Sequence, residues 1–253
     1  MTLPVELTPL IDKAMHAMKM HPQHHLLALY RHLIYEQINL LTNNIEVSRY
    51  RMDPRNPGTR IRGNLAAMSA ERVFPIFENW EYPREDEFYF GIPEEMLQMA
   101  KLVIEGKGDL KQAEIMDSDA YINLNHWFEE TREEIPEYPV NTLFAGIAAW
   151  CALSEAIGWN TFDVLDEHQK QKWLQAPDET ELALKGRYAF VPYVTDEELI
   201  YRKADAAGTA AVAYACSPLS VRCSSERLEE FWTWWLMKGL PESWELVAGN
   251  TPK

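Results

Sequence analysis

Apolar residues recur every three or four positions along most of the chain, and short segments rich in proline, glycine and asparagine separate these stretches. This spacing is typical of amphipathic helices. Pro22 to Leu41 is predicted as one helix, with the proline in its first turn and Asn43-Asn44 as its stop. The basic segment at residues 49–63 contains two prolines, one of them before a glycine, and is predicted as a loop.

Three further helices are predicted before residue 130. Leu65 to Trp80 has one apolar face, and Pro75 inside it should kink the helix. Pro93 to Gly106 begins with a proline and acidic residues and ends at a glycine, which suits the two ends of a helix. Asp109 is placed to cap a helix whose apolar stripe reaches Phe128.

The second half of the chain contains the most apolar segment. Leu143 to Ile157 is apolar on all sides and rich in alanine and glycine, which predicts a buried central helix. Thr195 and Glu198 form a capping box ahead of an Ala-rich helix predicted to end at Ser217-Pro218. Residues 187–194 have strand-like composition, but an internal proline favours an extended connector.

The last predicted helix carries much of the aromatic content. Ser224 or Ser225 provides its N-cap, and Gly239 is its expected end. Phe231, Trp232 and Trp235 share one face, so we expect them to dock this helix on the core. Trp234 lies on another face and is a candidate anchor for a binding partner.

Capped helices joined by short loops, without alternating strands, predict an all-α fold. We expect a compact multi-helix bundle of amphipathic helices around the central Ala-rich helix. Residues 1–253 are expected to form a single helical domain, because this length is near the upper limit for one core.

The chain has 24 Lys and Arg against 39 Asp and Glu, a net charge of −15. This charge disfavours nucleic-acid binding and favours encounter with a basic partner. Three cysteines are an odd number in a long chain, which favours a reducing cytoplasm over a disulfide framework. The chain shows neither a basic start with an apolar run nor about 20 consecutive apolar residues, so we expect no secretion signal and no membrane span.

The most unusual chemical feature is a group of five histidines near the start of the chain. They are His16, His21, His24, His25 and His32. Imidazole is a common metal ligand, but Glu36 is the only well-placed carboxylate, so no metal or cofactor is expected. A small helical metal-dependent enzyme that uses this N-terminal histidine cluster is the alternative function.

Other catalytic signatures are missing from the sequence. There is no G-x-S-x-G elbow, no phosphate loop and no HExxH or CxxC zinc signature. Cys151 lies inside the apolar central helix, where a buried hydrophobe is the expected role. The sequence therefore predicts no enzyme and no catalytic residue.

Three segments carry a family resemblance: RGNLAAMSAERVFPIFENWEYPREDE, followed by an amphipathic helix and EGKGDLKQA; NTLFAGIAAWCALSEAIGW; and RLEEFWTWWLMKGLPESW. Their order and wording resemble the immunity proteins of bacterial polymorphic toxin systems, specifically the mostly helical family numbered five and its relatives. The resemblance implies that the protein binds and neutralises a cognate toxin domain in the producing cell. It implies no catalytic residues.

A basic toxin would need an acidic surface on this protein. The first candidate is an open run of glutamates near two prolines: Glu129, Glu130, Glu133, Glu134 and Glu137. The second candidate is Glu81, Glu85, Asp86 and Glu87. A third function, an obligate structural subunit, would instead predict a large exposed apolar patch.

Overall fold

The computed structural model describes residues 3–43, 46–48, 51–79, 87–120, 140–159, 205–217 and 220–248. The helices are α1 (Thr8–Met20), α2 (Ala28–Leu41), α3 (Pro57–Glu78), α4 (Glu87–Ile104), α5 (110–120), α6 (Val140–Ala156), α7 (Ala206–Ala215), α8 (Ser225–Trp234) and α9 (Leu240–Ala248), and a π-helical segment, Trp235–Gly239, joins α8 to α9. Two short antiparallel hairpins complete the elements, β1 (Glu46–Ser48) with β2 (Arg51–Met52) and β3 (Cys216–Ser217) with β4 (Ser220–Cys223).

The Ala-rich α6 lies at the centre of the bundle, as predicted. It contacts α3, α4 and α7, and most of its side chains are buried. Small residues make these contacts close: a Cβ added at Gly63 of α3 would lie 3.0 Å from the Cα of Ala156. The predicted all-α bundle is therefore confirmed, because one apolar helix serves as the core for three neighbours.

The start of α2 differs from the sequence prediction. The helix begins at Ala28 rather than Pro22, and His24 has a φ of 53°, which interrupts a right-handed helix. The His21 side chain explains the interruption, because its Nδ1 accepts hydrogen bonds from the backbone N–H of Gln23 at 3.2 Å and of His25 at 3.4 Å. Such local side-chain bonds compete with helix formation.

The predicted loop at residues 49–63 is wrong beyond residue 56. Asn56 caps α3 by accepting a hydrogen bond from the N–H of Gly58 at 2.8 Å, and Pro57 occupies the first helical position. Residues 51–52 pair with β1 in a hairpin. Arg60 and Arg62 consequently belong to a helix rather than to a loop.

The predicted helix start at Pro93 is also wrong, because α4 begins at Glu87 and contains the proline. A proline inside a helix removes one backbone hydrogen bond. The Pro93 ring packs near α6, where a Cβ built on Gly146 would lie 3.7 Å from the proline Cγ. Packing against the central helix thus outweighs the local preference of the proline.

The predicted helix end at Gly239 is a further error, since the chain stays helical to Ala248. Gly239 is buried, and a Cβ there would lie 3.1 Å from the Cδ1 of Leu65. Its small size serves a close helix contact instead of a stop. Pro241 follows within this continuous helix, where its ring removes one backbone hydrogen bond.

The last helices dock as expected. Phe231, Trp232 and Trp235 are fully buried, and Ser224 caps α8 through a hydrogen bond from the N–H of Arg227 at 3.3 Å. Across the part of the chain that the structure describes, no helix is long and apolar enough to span a bilayer. The helix predicted after Thr195 and the connector at residues 187–194 lie outside the described residues, apart from α7.

Candidate functional site

A buried ion pair joins two helices that are far apart in sequence. Arg31 of α2 meets Asp205, directly before α7, with Nε to Oδ2 and Nη2 to Oδ1 distances of 2.9 Å each. Their side chains are 1% and 2% exposed. The Asp205 carboxylate also accepts the N–H of Gly208 at 3.2 Å and so caps α7. The pair is bidentate, which fixes both distance and orientation between the helices.

A second buried group lies beside this pair. Glu155 of α6 accepts a hydrogen bond from the backbone N–H of Ala206 at 3.0 Å, and Arg62 interacts electrostatically with it. The Arg62 guanidinium carbon lies 4.8 Å from the centre of the Tyr35 ring. Burial raises the pKa of Glu155 to about 7, although Arg62 opposes this shift. Burial likewise lowers the pKa of Arg62 and raises that of Tyr35.

Two histidines near the start of the chain, His24 and His25, have separate partners in α8. His25 is buried, and its Nδ1 accepts a hydrogen bond from the indole N–H of Trp232 at 3.2 Å. Burial, and then the charge of Arg31, lower the pKa of His25 well below its usual range. The His24 Nδ1 lies 2.7 Å from the Glu229 carboxylate. Within the described residues, no three potential ligands come together to hold a metal ion.

A third buried carboxylate serves packing. Asp117 of α5 accepts hydrogen bonds from the Trp150 indole at 3.0 Å and from the Ser154 hydroxyl. Both donors belong to α6, so the carboxylate attaches α5 to the central helix. These buried carboxylates have internal donors, and their arrangement suits a scaffold of fixed shape.

The surface near α8 carries a cluster of arginine and aromatic side chains. The Arg72 guanidinium lies 4.7 Å from the Trp234 ring centre and 5.1 Å from that of Tyr214. Glu230 accepts a hydrogen bond from the Tyr214 hydroxyl at 2.6 Å and from Arg72 at 3.3 Å. Arg227 lies over the same tyrosine ring at 4.7 Å. Desolvation and the bond to Glu230 raise the pKa of Tyr214.

Trp234 was expected to point away from the core and to be exposed. It is instead half-buried, since it packs against Phe231 at 5.5 Å between ring centres and beneath Arg72. Two arginines of the basic segment have partners within the protein. Arg51 pairs with Glu114, and Arg60 donates to a main-chain carbonyl at 2.6 Å.

Both acidic candidate surfaces fall almost entirely on residues that the structure does not describe. The glutamates at positions 129 to 137 and the acidic residues at 81 to 86 lie outside the described residues, and Glu87 is described only as the first residue of α4. Sequence reasoning missed Arg31, Asp205 and Glu155 as the polar core. The signal at Arg31 and Glu155 was a charged residue inside an otherwise apolar helical stretch, and Asp205 directly precedes such a stretch.

The cysteines differ from the expectation of a reduced chain. Cys223 is disulfide-bonded, and it faces Cys216 in register across the β3–β4 hairpin. Cys151 is free and buried in α6, which fits its predicted role as a small hydrophobe. The covalent link lies directly before α8 and its cap.

The sequence matches no curated protein. The family model described as Immunity protein Imm5 matches residues 11–242, a span that includes the buried ion pair and the α8 surface. The resemblance inferred from three segments of the sequence is thereby confirmed.

Proposed function

Because the chain belongs to the Imm5 family of immunity proteins, we propose that it binds a cognate toxin domain and neutralises it by non-catalytic contact. The toxin domain belongs to a bacterial polymorphic toxin system, and binding takes place in the cytoplasm of the producing cell. The family match over residues 11–242 carries this proposal.

The interior of the bundle supports a role in binding. The Arg31–Asp205 pair and the Glu155 contact fix α2, α6 and α7 relative to one another. A protein that acts by contact gains from such rigidity, because less conformational freedom is lost when the complex forms. The buried charges therefore serve the shape of the outer surface.

The net charge of −15 supports a basic toxin as the partner. Opposite charges raise the association rate, and toxins that attack nucleic acid are often basic for their own substrate. Our first candidate for the acidic binding face stays the glutamate run at residues 129–137, and the second stays the run at 81–87.

Within the described residues, no observation favours a metal-dependent enzyme. His25 uses a ring nitrogen for Trp232, and His24 faces Glu229. Both contacts attach the N-terminal region to α8, which is a structural role. We propose that the protein acts without metal, cofactor or catalytic residue.

The proposal is tested with the toxin domain encoded by the neighbouring gene. The two purified proteins should form a complex of defined stoichiometry, and toxin activity should fall in proportion to the immunity protein added, reaching zero at that stoichiometry. Prior treatment with a chelator should change nothing. Loss of toxin activity at a small fraction of one equivalent would indicate turnover and contradict a binding mechanism, as would full toxin activity in excess immunity protein.

If the protein works in the cytoplasm, Cys223 should be reduced in the cell. Cytoplasmic thiol systems keep most disulfides reduced. Cells lysed in an alkylating reagent should therefore yield protein labelled at Cys223. Protein that stays unlabelled at this residue until a reductant is added would argue for an oxidising compartment.

A further inference from the structure

Four residues of the last helices lie on one side of the helical axis. Arg227, Glu230, Trp234 and Met237 follow one another at intervals of three or four positions, which is the spacing of one helical face. Met237 lies in the π-helical segment and is 59% exposed. Short π-helical segments inside α-helices are frequent at functional sites.

Two neighbouring helices add to this face. Arg72 comes from α3 and Tyr214 from α7, and both contact Glu230. We call the six residues the α8 patch: Arg72, Tyr214, Arg227, Glu230, Trp234 and Met237. Arginine, tyrosine, tryptophan and methionine are the residue types enriched in the cores of protein interfaces.

The α8 patch is held in place before any partner binds. Arg72 stacks on both Tyr214 and Trp234, and Glu230 bonds to both Arg72 and Tyr214. Side chains fixed in this way lose little rotamer freedom on binding, which favours affinity. Three helices contribute to the arrangement, so it depends on the folded bundle and not on one segment.

The side chain of Arg227 indicates which chemical group a partner would supply. Its side chain is exposed and stacks on Tyr214, but no carboxylate within the described residues pairs with it. A guanidinium held by an aromatic ring presents its donors in a fixed plane that matches a carboxylate. The exposed Met237 beside the half-buried Trp234 offers apolar contact at the other end.

We propose that the α8 patch is the docking surface for the toxin domain, an inference that rests on the proposed function. The toxin contributes a carboxylate that pairs with Arg227 and an apolar side chain that packs on Trp234 and Met237. The acidic face of the proposed function attracts the basic toxin, and the α8 patch, a second and separate contact, sets the orientation of the bound toxin.

Two exposed substitutions test the proposal against matched controls. Met237→Glu places a charge at the apolar end, and Met20→Glu makes the same change at a methionine of α1 that is 71% exposed. Arg227→Glu reverses the charge at the other end, and Arg55→Glu does so at an exposed arginine before α3. Each pair changes the net charge equally, so long-range electrostatic effects cancel in the comparison.

Affinity for the toxin domain is measured by titration calorimetry, and folding by melting temperature. We expect Met237→Glu and Arg227→Glu to weaken binding at least tenfold with unchanged melting temperatures, while Met20→Glu and Arg55→Glu stay within twofold of wild type. Equal affinities for all four variants and wild type would overturn the docking surface while the proposed function stands. Absence of wild-type binding would overturn the proposed function itself.

Hydrogen exchange of the wild-type protein gives a readout that needs no substitution. Toxin binding should slow amide exchange in peptides from residues 225–239. A complex that forms with protection elsewhere and none in this segment would place the toxin on a different face and overturn the proposal.

Discussion

The buried pair of Arg31 and Asp205 should dominate the stability of this fold. Arg31→Met leaves the Asp205 carboxylate buried without its cation, and Asp205→Asn leaves the guanidinium without its anion while an oxygen stays available for the cap of α7. Removing one partner of a buried ion pair costs about 3 to 5 kcal/mol. Each single variant should therefore lose that amount of unfolding free energy.

The double variant distinguishes the ion pair from simple packing. With both charges removed, no uncompensated charge stays buried, and well-packed neutral replacements are often close to neutral in stability. We expect the double variant to lose less than the sum of the two single losses, by at least about 3 kcal/mol. Urea unfolding followed by circular dichroism measures all four proteins.

An exposed pair provides the control. Lys101 and Glu71 pair at the surface with side chains 38% and 42% exposed, and such pairs contribute about 0 to 1 kcal/mol. Lys101→Met should consequently lower the unfolding free energy by less than about 1 kcal/mol. Additive losses in the double variant, or single losses as small as that of the control, would show that the Arg31–Asp205 pair does not organise the core.

Three further predictions concern stability, titration and metal binding. Trp232→Ala should lower the unfolding free energy by about 3 to 5 kcal/mol, because this side chain is fully buried; near-wild-type melting would place α8 at the periphery. Since the pKa of Glu155 is raised to about 7 in the folded state, its stabilising effect is fully present below about pH 4.5 and is lost as the pH rises through 7. The unfolding free energy of Glu155→Gln, taken relative to wild type, should therefore increase by up to about 3 kcal/mol between pH 5 and pH 8. A difference between the two proteins that stays constant over this range would refute the raised pKa. The segment from His21 to His32 should hold no tight metal ion, which elemental analysis of tag-free protein after dialysis against chelator checks; stoichiometric zinc would contradict this.

A further prediction concerns the kinetics of binding to the acidic face. Replacing several glutamates of residues 129–137 by glutamine should slow toxin association and flatten its salt dependence, with little change in melting temperature. Stopped-flow binding at two salt concentrations measures this. Unaltered association for this variant and for the equivalent variant at residues 81–87 would reject steering by an acidic face.

Local signals in the sequence predicted those parts of the fold that local chemistry determines. Asp109 caps α5, since its side chain accepts a hydrogen bond from the N–H of Lys111 at 2.9 Å. Gly106 ends α4 with a φ of 74°, a conformation that glycine adopts without strain. The apolar side chains on all sides of α6 predicted its central position, because a helix without a polar face needs neighbours on all sides.

Tertiary contacts explain where these signals failed. Pro93 and Gly239 were both interpreted as helix boundaries, but each lies within continuous helix at a close contact. The polar core was missed for a related reason. Arg31 and Asp205 are 174 residues apart, so no local pattern connects them. A charged residue within an apolar stretch is the usable signal, and Glu155 in α6 shows it.

We propose above that this protein neutralises a toxin by binding it. The most direct measurement is growth of bacteria that express the neighbouring toxin domain, with and without this protein expressed in the same cytoplasm. We predict that toxin alone stops growth and that co-expression restores it, while co-expression of Met237→Glu at equal protein level protects less. Growth arrest that persists at full expression of the soluble wild-type protein would contradict the claim.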